Sequence, residues 1–285
     1  MDSSLLAAKN VIVQGITGAH GTFHTAAMRA AGTNIVAGTS PNKAGEVVDG
    51  VPVYATIVDI QKDHQVDISV VFVPASHAKG ALIEAIHAHI PLIVCITEGV
   101  PIHDMLEVRE KALESGSVII GPNCPGVLMP GGNKLGIIPV QMGLPGSVGI
   151  VSPSGTLTYE VAAGLTARGI GQKYIVGIGG DRIRGTGFID CLSMFEADTQ
   201  VTSIILIGEI GGNDEQAAAD YIKSHVTKPV FAYIAGHHAP VGVQLGHAGA
   251  ILTSRGESAA DKSLALEQAG VHVSQSITQL VNNVK

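Results

Sequence analysis

His247 stands in the segment Gly246-His247-Ala248-Gly249-Ala250. Small residues on both sides let main chain crowd the imidazole and leave it open to an incoming group. That makes His247 a candidate covalent nucleophile, since a neutral imidazole is nucleophilic near pH 7. The competing reading is a loop histidine that caps nearby main chain. Glu209, in Gly208-Glu209-Ile210-Gly211-Gly212, follows the apolar run Ile204–Ile207. A carboxylate at the end of a strand can hold a histidine in one tautomer; otherwise it is a solvent-facing turn residue. Val151-Ser152-Pro153-Ser154-Gly155-Thr156 joins an apolar run to a helical pattern. Ser154 and Thr156 are helix-capping types and Gly155 lets amides face outward, so this turn reads as an anion site or as an ordinary cap. Tyr159 lies one turn further on, aimed at the same anion or packed in the core. Asp181, in Gly179-Gly180-Asp181, sits similarly but has no evident partner. His237 and His238 are adjacent, which is poor spacing for metal ligands.

A second group of residues lies near the N-terminus. Gly15-Ile16-Thr17-Gly18-Ala19-His20-Gly21 directly follows the first apolar run and opens the first helical pattern. Glycines allow a tight turn, and the helix start offers free N–H groups to a phosphate. The spacing is GxxGxxG, close to the dinucleotide fingerprint but not identical to it; the glycines can also serve helix–sheet packing alone. After the second run an NAD site carries an acidic residue for the ribose hydroxyls. Here the chain reads Gly38-Thr39-Ser40-Pro41-Asn42-Lys43. A cation at Lys43 suits a ribose phosphate and favours NADP or coenzyme A, unless it is a plain surface lysine. Ile96-Thr97-Glu98-Gly99 ends the fourth run, where ligand contacts gather in such sheets. No GxxxxGK[ST] occurs, and no nucleoside triphosphate loop is found.

These residues need a frame. Strands are predicted at Asn10–Gln14, Asn34–Thr39, Ile68–Val73, Pro91–Ile96 and Val118–Ile120, with helices at Phe23–Ala31, Lys79–His89 and Ile102–Ser115 between them. The strands are almost wholly apolar, as parallel strands covered on both faces are. Gly121–Pro145 then brings five prolines, with five glycines between Pro122 and Pro145, and predicts no regular structure. A second series follows: strands at Gly149–Val151, Tyr174–Gly177, Ile204–Ile207, Pro229–Ile234, Ala250–Leu252 and Val271–Val273, and helices at Leu157–Arg168, Gly187–Glu196, Asp214–His225 and Ala259–Gln268. The expectation is two α/β domains of similar size, residues 1–123 and 147–285, joined by the Pro/Gly-rich stretch 124–146.

Composition narrows the function classes. The 285 residues include 36 glycines and no tryptophan; charged residues are 14% and the formal net charge is −7. That excludes a basic nucleic-acid footprint. So few charges suit a surface partly covered by another chain, or a charge-poor monomer. Cys95, Cys124 and Cys191 have no CxxC spacing, which suggests a reducing compartment and no zinc or other metal site. The first ten residues lack the pattern of a signal peptide, and no apolar run reaches the ~20 residues that span a bilayer. A soluble cytosolic protein, bacterial or archaeal, is expected.

GITGAHGTFH, ITEG, GPNCPG, VSPSGTLTYE, GIGGD, IGEIGG and GHAGAI together make the chain similar to the alpha subunits of succinate–CoA ligase (succinyl-CoA synthetase) over nearly its whole length. The resemblance implies a Rossmann-like CoA-binding domain followed by a flavodoxin-like ligase domain. It implies a histidine that carries phosphate between two half-sites, and a beta subunit whose ATP-grasp domain binds nucleotide with Mg2+. It assigns Thr17, Gly18, Ala19, His20, Lys43, Ile96, Thr97 and Glu98 to CoA. It assigns phosphorylation to His247, the carboxylate partner role to Glu209, and the substrate or phosphate site to Tyr159, Ser154 and Gly155. The implied complex is αβ or (αβ)2. Three places depart from the family pattern: Pro153 replaces an arginine, Arg182 and Arg184 replace a proline-bearing segment, and residues 242–245 are neutral where the family carries basic residues. A ligase for another acid, such as malate, an NADP-dependent oxidoreductase and a non-catalytic CoA-binding protein are the alternatives.

Overall fold

The computed structural model describes every residue except Val241 and Arg255. The N-terminal part begins with β1 (Val11–Gln14), α1 (Ala19–Ala30), β2 (Ile35–Thr39), β3 (Val47–Val48), β4 (Val51–Tyr54) and α2 (Ile57–Ile60). It continues with β5 (Ile68–Val71), α3 (Ala75–His87), β6 (Leu92–Cys95), α4 (Ile102–Ser115) and β7 (Val118–Ile120). The C-terminal part holds β8 (Gly126–Leu128), β9 (Lys134–Gly136), β10 (Pro145–Ser152), α5 (Gly155–Ala167), β11 (Gln172–Gly177) and α6 (Phe188–Ala197). After these come β12 (Ser203–Gly208), α7 (Asp214–His225), β13 (Val230–Ile234), α8 (Ala259–Gln268), β14 (His272–Ser274) and α9 (Ile277–Asn283).

Two seven-stranded sheets result. The first runs β3-β4-β2-β1-β5-β6-β7. With the short antiparallel edge strand β3 set aside, the order is third, second, first, fourth, fifth, sixth: the Rossmann order. The second runs β14-β13-β12-β10-β11-β8-β9. Its parallel strands β10 to β14 follow the flavodoxin-like order, extended at the β11 edge by the antiparallel hairpin β8–β9. β1, β5, β6 and β12 are buried at every position. Helices therefore cover both faces, and chain reversal at the carboxyl ends of the strands exposes main-chain groups to a ligand.

The hairpin β8–β9 corrects one expectation. Gly121–Pro145 is not wholly irregular, because its glycines permit a tight antiparallel pairing. Gly126 has φ +85, and a Cβ there would meet the Leu135 carbonyl oxygen at 1.9 Å. The hairpin also ties the halves together. The Thr33 hydroxyl donates to the Lys134 carbonyl and accepts the Lys134 N–H, each at 2.9 Å. Asn133 Nδ2 donates to the carbonyls of Leu6 and Ala8 at 2.9 and 2.8 Å. One apolar cluster runs from Val13 and Met28 through Leu135 to Val151 and Leu206.

The strand expected at Ala250–Leu252 is absent. Ile251 makes only an isolated bridge to Gln244, so the long segment between β13 and α8 is a loop folded on itself. This is the loop that carries His247. No helix among the described residues is long and apolar enough to cross a membrane.

Candidate functional site

The first cleft opens at the carboxyl ends of β1, β2 and β5, where the strand order reverses. It has a volume of about 480 Å³ and is lined by Gly15, Thr17, Gly18, Ser40, Asn42 and Phe72, among others. Gly15 has φ +83, and a Cβ on Gly21 would lie 2.2 Å from the Gly15 carbonyl oxygen. Only glycine lets the loop turn so closely onto the helix start. Helix α1 begins after Gly18, which as glycine supplies no side-chain cap and leaves the N-terminal amides for a ligand. Thr17 Oγ1 donates to Ser40 Oγ at 2.8 Å, linking the loop to the end of β2. Gly18, Ala19 and His20 are exposed at the helix tip. Lys43 is exposed one residue beyond the lining residue Asn42.

Ile96, Thr97 and Glu98 leave β6 on the same edge of the first sheet. Thr97 is buried and donates to the Val73 carbonyl at 2.7 Å, while its own carbonyl accepts the Asn123 N–H at 2.8 Å. This tethers the β6 turn to the connection between the sheets. Glu98 is exposed, and its charge reaches His247.

The second site lies at the carboxyl ends of β10, β11 and β12. His247 Nδ1 is 2.7 Å from Glu209 Oε2, and the two side chains are 27% and 15% exposed. The hydrogen bond to Glu209 holds the imidazole above its ordinary pKa of 6.5, against burial; the charges of Glu209, Asp181 and Glu98 act in the same direction. With Nδ1 engaged, Nε2 is the nitrogen left for chemistry, and it makes no hydrogen bond among the described residues. A Cβ on Gly180 would lie 2.4 Å from His247 Cγ, so the ring packs flat on bare main chain. Gly249 N–H donates to the Gly180 carbonyl at 3.4 Å and closes the loop over β11.

Ser154 caps α5: its hydroxyl accepts the Leu157 N–H at 3.3 Å. Ser152 Oγ accepts the Ser154 N–H at 3.1 Å and fixes the turn. Gly155 opens the helix, and the Tyr159 hydroxyl comes within 4.0 Å of the position a Gly155 Cβ would take. Burial pushes Tyr159 up to about 12.

Between these elements lies a cleft of about 260 Å³, lined by Pro153, Asp181, Arg182, Arg184, Glu209 and Gly249, among others. Arg182 Nε donates to the Ala248 carbonyl at 3.1 Å, next to His247. Arg184 donates to the Gly179 carbonyl at 3.0 Å and pairs with Asp214. Pro153, Arg182 and Arg184, three of the residues noted above as departures, thus line one cavity beside the histidine loop, whereas residues 242–245 do not line it.

The two clefts are separate, and Glu98 is the N-terminal site residue whose charge acts on the second. Asp181 has a partner after all, since Asn123 Nδ2 donates to its Oδ1 at 3.0 Å. The contact spans 58 residues of chain, and no local pattern announces it. Gly180 was also missed, although the double glycine before Asp181 marks a place where only bare main chain fits. Gln14 and Phe72 join the first cleft without any sequence signal of their own.

Two family models match the chain: a CoA binding domain over residues 7–99 and CoA-ligase over residues 151–272. The fold and both sites therefore define a CoA ligase with a CoA-binding domain at its N-terminal end. A relative from Archaeoglobus fulgidus, named succinate–CoA ligase [ADP-forming] subunit alpha 2, is 51% identical and covers 92% of this chain and 91% of its own length. One from Aquifex aeolicus, named succinate–CoA ligase [ADP-forming] subunit alpha, is 48% identical over 92% of this chain and 87% of its own. The chain belongs to the succinate–CoA ligase alpha-subunit family. Among solved structures, ATP citrate lyase from Methanothrix soehngenii, in complex with citrate and coenzyme A, superposes with a TM-score of 0.85 at 27% identity. That match covers 97% of this chain but only 50% of the lyase chain.

Proposed function

We propose that this chain is the alpha half of a succinate–CoA ligase in which His247 Nε2 carries the phosphoryl group. The overall reaction interconverts succinate, CoA and nucleoside triphosphate with succinyl-CoA, nucleoside diphosphate and phosphate. The observation that carries the reading is the 2.7 Å contact between His247 Nδ1 and Glu209, which fixes the ring with Nε2 outward. In the direction of thioester synthesis, a succinate carboxylate oxygen attacks the phosphorus of phosphohistidine. The P–N bond breaks and its electron pair returns to Nε2, while the proton stays on Nδ1, donated to Glu209. CoA thiolate then attacks the acyl carbon of succinyl phosphate, and inorganic phosphate leaves. Main-chain dipoles at the start of α5 replace water around a phosphate that must not hydrolyse. Ser154, Gly155 and Tyr159 line that end; Thr17, Gly18, Ala19, His20, Lys43, Ile96, Thr97 and Glu98 are the proposed CoA contacts.

The nucleotide and its Mg2+ belong to a beta subunit with an ATP-grasp domain, in an αβ or (αβ)2 complex. Val243 and Leu245, 46% and 43% exposed within the histidine loop, support a covering partner there. The relatives' names point to ADP and ATP as the pair. Residues 1–123 are proposed as the CoA-binding domain and 147–285 as the ligase domain, with the bacterial or archaeal cytosol as the setting. A related acid such as malate is the second reading, favoured by Pro153, Arg182 and Arg184 lining the cavity next to His247.

The test combines the chain with a beta subunit, CoA, nucleotide labelled at the γ-phosphate and a panel of dicarboxylic acids. Acid-labile label on His247 and succinate-dependent release are expected. His247→Asn is expected to lose more than about 10³-fold in turnover. A variant that turns over at the wild-type rate, or a wild-type chain that never takes up label, would overturn the reading.

A further inference from the structure

Behind the histidine loop, where main chain alone would be expected, a buried ion pair joins α7 to α8. Lys262 is 0% exposed and Glu215 is 3% exposed. The Lys262 ammonium has three N–H groups and finds three acceptors: the Glu209 carbonyl at 2.7 Å, the Gly211 carbonyl at 2.5 Å and the Glu215 carboxylate. The other Glu215 oxygen, Oε1, accepts the Glu209 N–H at 3.0 Å. Both main-chain groups of Glu209 are thus held by one buried pair. Gly211, whose carbonyl Lys262 also holds, lies close against the histidine loop: a Cβ there would lie 2.0 Å from the Gly249 carbonyl oxygen.

An ion pair this deep costs desolvation and is a poor way to add stability, so its presence here calls for another reason. A carboxylate that must meet a ring at 2.7 Å needs a fixed backbone, and an ammonium with three fixed acceptors supplies one. We propose that Lys262 and Glu215 are positioning residues: they clamp the main chain of Glu209 and thereby set its carboxylate against Nδ1 of His247. Neither touches the reacting atoms; they act through Glu209. The inference rests on the phosphohistidine reading for its catalytic meaning, but its geometric consequence can be read without turnover.

The test replaces the pair together, as E215L/K262M, in the full chain with and without its beta subunit. Removing both charges leaves no unpaired ion, although the Glu209 N–H and the Glu209 and Gly211 carbonyls lose these partners, so the fold is expected to survive with a lowered melting temperature. The ring titration of His247 is then followed by NMR on histidine-labelled protein. The carboxylates acting on His247 are those of Glu209, Asp181 and Glu98, and the Arg182 guanidinium lies beside the ring on the Ala248 carbonyl. With Glu209 released, the titration midpoint is expected to fall toward that of an ordinary histidine. Turnover is expected to drop about tenfold, with KM for CoA unchanged. If the double variant does not fold, Lys262→Met removes the donors to the Glu209 and Gly211 carbonyls, and burial favours the neutral Glu215 carboxyl, so no unpaired ion remains; a lowered midpoint is again expected. A folded variant of either kind in which His247 titrates as in the wild type overturns the clamp. Glu209→Gln is the control. If it too leaves the midpoint unmoved, the contact between Glu209 and His247 has failed, not the clamp behind it. If wild-type His247 never takes up phosphate, the functional reading fails while the midpoint still reports on the clamp.

Discussion

The chain builds the same device twice and puts it to different use. Each sheet ends in a glycine-rich turn that feeds a helix start, and each offers main-chain amides to an anion. At the first sheet the turn is bare: α1 has no side-chain cap, and the nearby cation Lys43 is exposed. At the second the turn is supported from behind. Ser152 and Ser154 fix the start of α5, Glu209 meets His247, and the Lys262–Glu215 pair holds Glu209. A site that only binds needs shape and free amides. A site that makes and breaks a bond to its own side chain needs that side chain oriented, and orientation requires layers of support. If that is the difference, damage at one sheet leaves the other's readout intact.

After His247→Asn, the largest effect is expected from Glu209→Gln. An amide can present either its oxygen or its NH₂ to Nδ1, so the ring is no longer confined to one tautomer, and the carboxylate charge is gone. Turnover is expected to fall about 10³-fold. The pH dependence sharpens the test. The hydrogen bond to Glu209 raises His247 above 6.5, so the ring accepts phosphate progressively better as pH climbs through that raised value. The stability from the charged pair runs the opposite way: it is fully present below the unfolded value of about 6.5 and is lost as pH rises through the folded one. In the glutamine variant the rate transition is expected to move to lower pH and the pH-dependent stability to shrink, read by rate profiles and thermal melts. Gly180→Ala comes next. Its Cβ would lie 2.4 Å from the ring, so His247 must shift, and a loss of about 10²-fold in turnover is expected with CoA affinity unchanged.

How much of this was visible beforehand follows the range of the interactions. Helix α4 at Ile102–Ser115 matches its pattern residue for residue, because apolar spacing and the Gly116 stop are local. Most parallel strands were evident as apolar runs, though not β4 at Val51–Tyr54 or its antiparallel neighbour β3 at Val47–Val48, and the GxxGxxG turn was evident by its place between strand and helix. Ala250–Leu252 misled because a short apolar run also suits a loop packed under a partner element. The hairpin β8–β9 was hidden by its prolines and glycines, which signal irregularity even where they permit a tight pairing. The pairing of Glu209 with His247 came from the family resemblance and not from local pattern, because their contact spans 38 residues. Lys262 gave no sign at all: in Ala259-Ala260-Asp261-Lys262 it reads as an exposed helical lysine, and only the fold turns it inward. Chemistry assembled across distant segments is invisible to periodicity, which reports only which face of an element is buried.

The first sheet supplies the reverse experiments. Gly21→Ala sets a Cβ 2.2 Å from the Gly15 carbonyl oxygen, a clash with main chain that no rotamer relieves. The loop must open, and CoA is expected to bind about tenfold more weakly by calorimetry, a loss of about 1.4 kcal/mol. The His247 titration is expected to stay where it is. A shift there would mean that the two sheets are coupled through the Asn133 and Thr33 contacts, and the division of labour would fail.

The smallest effect is expected from Lys43→Ala, and it is the most discriminating about the ligand. Lys43 is exposed and makes no ion pair among the described residues. A charge placed so is screened by salt and contributes little, about threefold in CoA affinity at low ionic strength. What distinguishes a ribose-phosphate contact from a general surface charge is its dependence on that phosphate. CoA is expected to lose the threefold, and dephospho-CoA nothing. An equal loss for both would move Lys43 to the pyrophosphate or to no role, and the case for CoA over NAD at the end of β2 would then rest on the absent acidic residue alone. Raising the salt should erase the difference between wild type and variant for CoA, because the contribution is electrostatic and wet. The glycine effect in the same cleft should survive that salt, because it is steric.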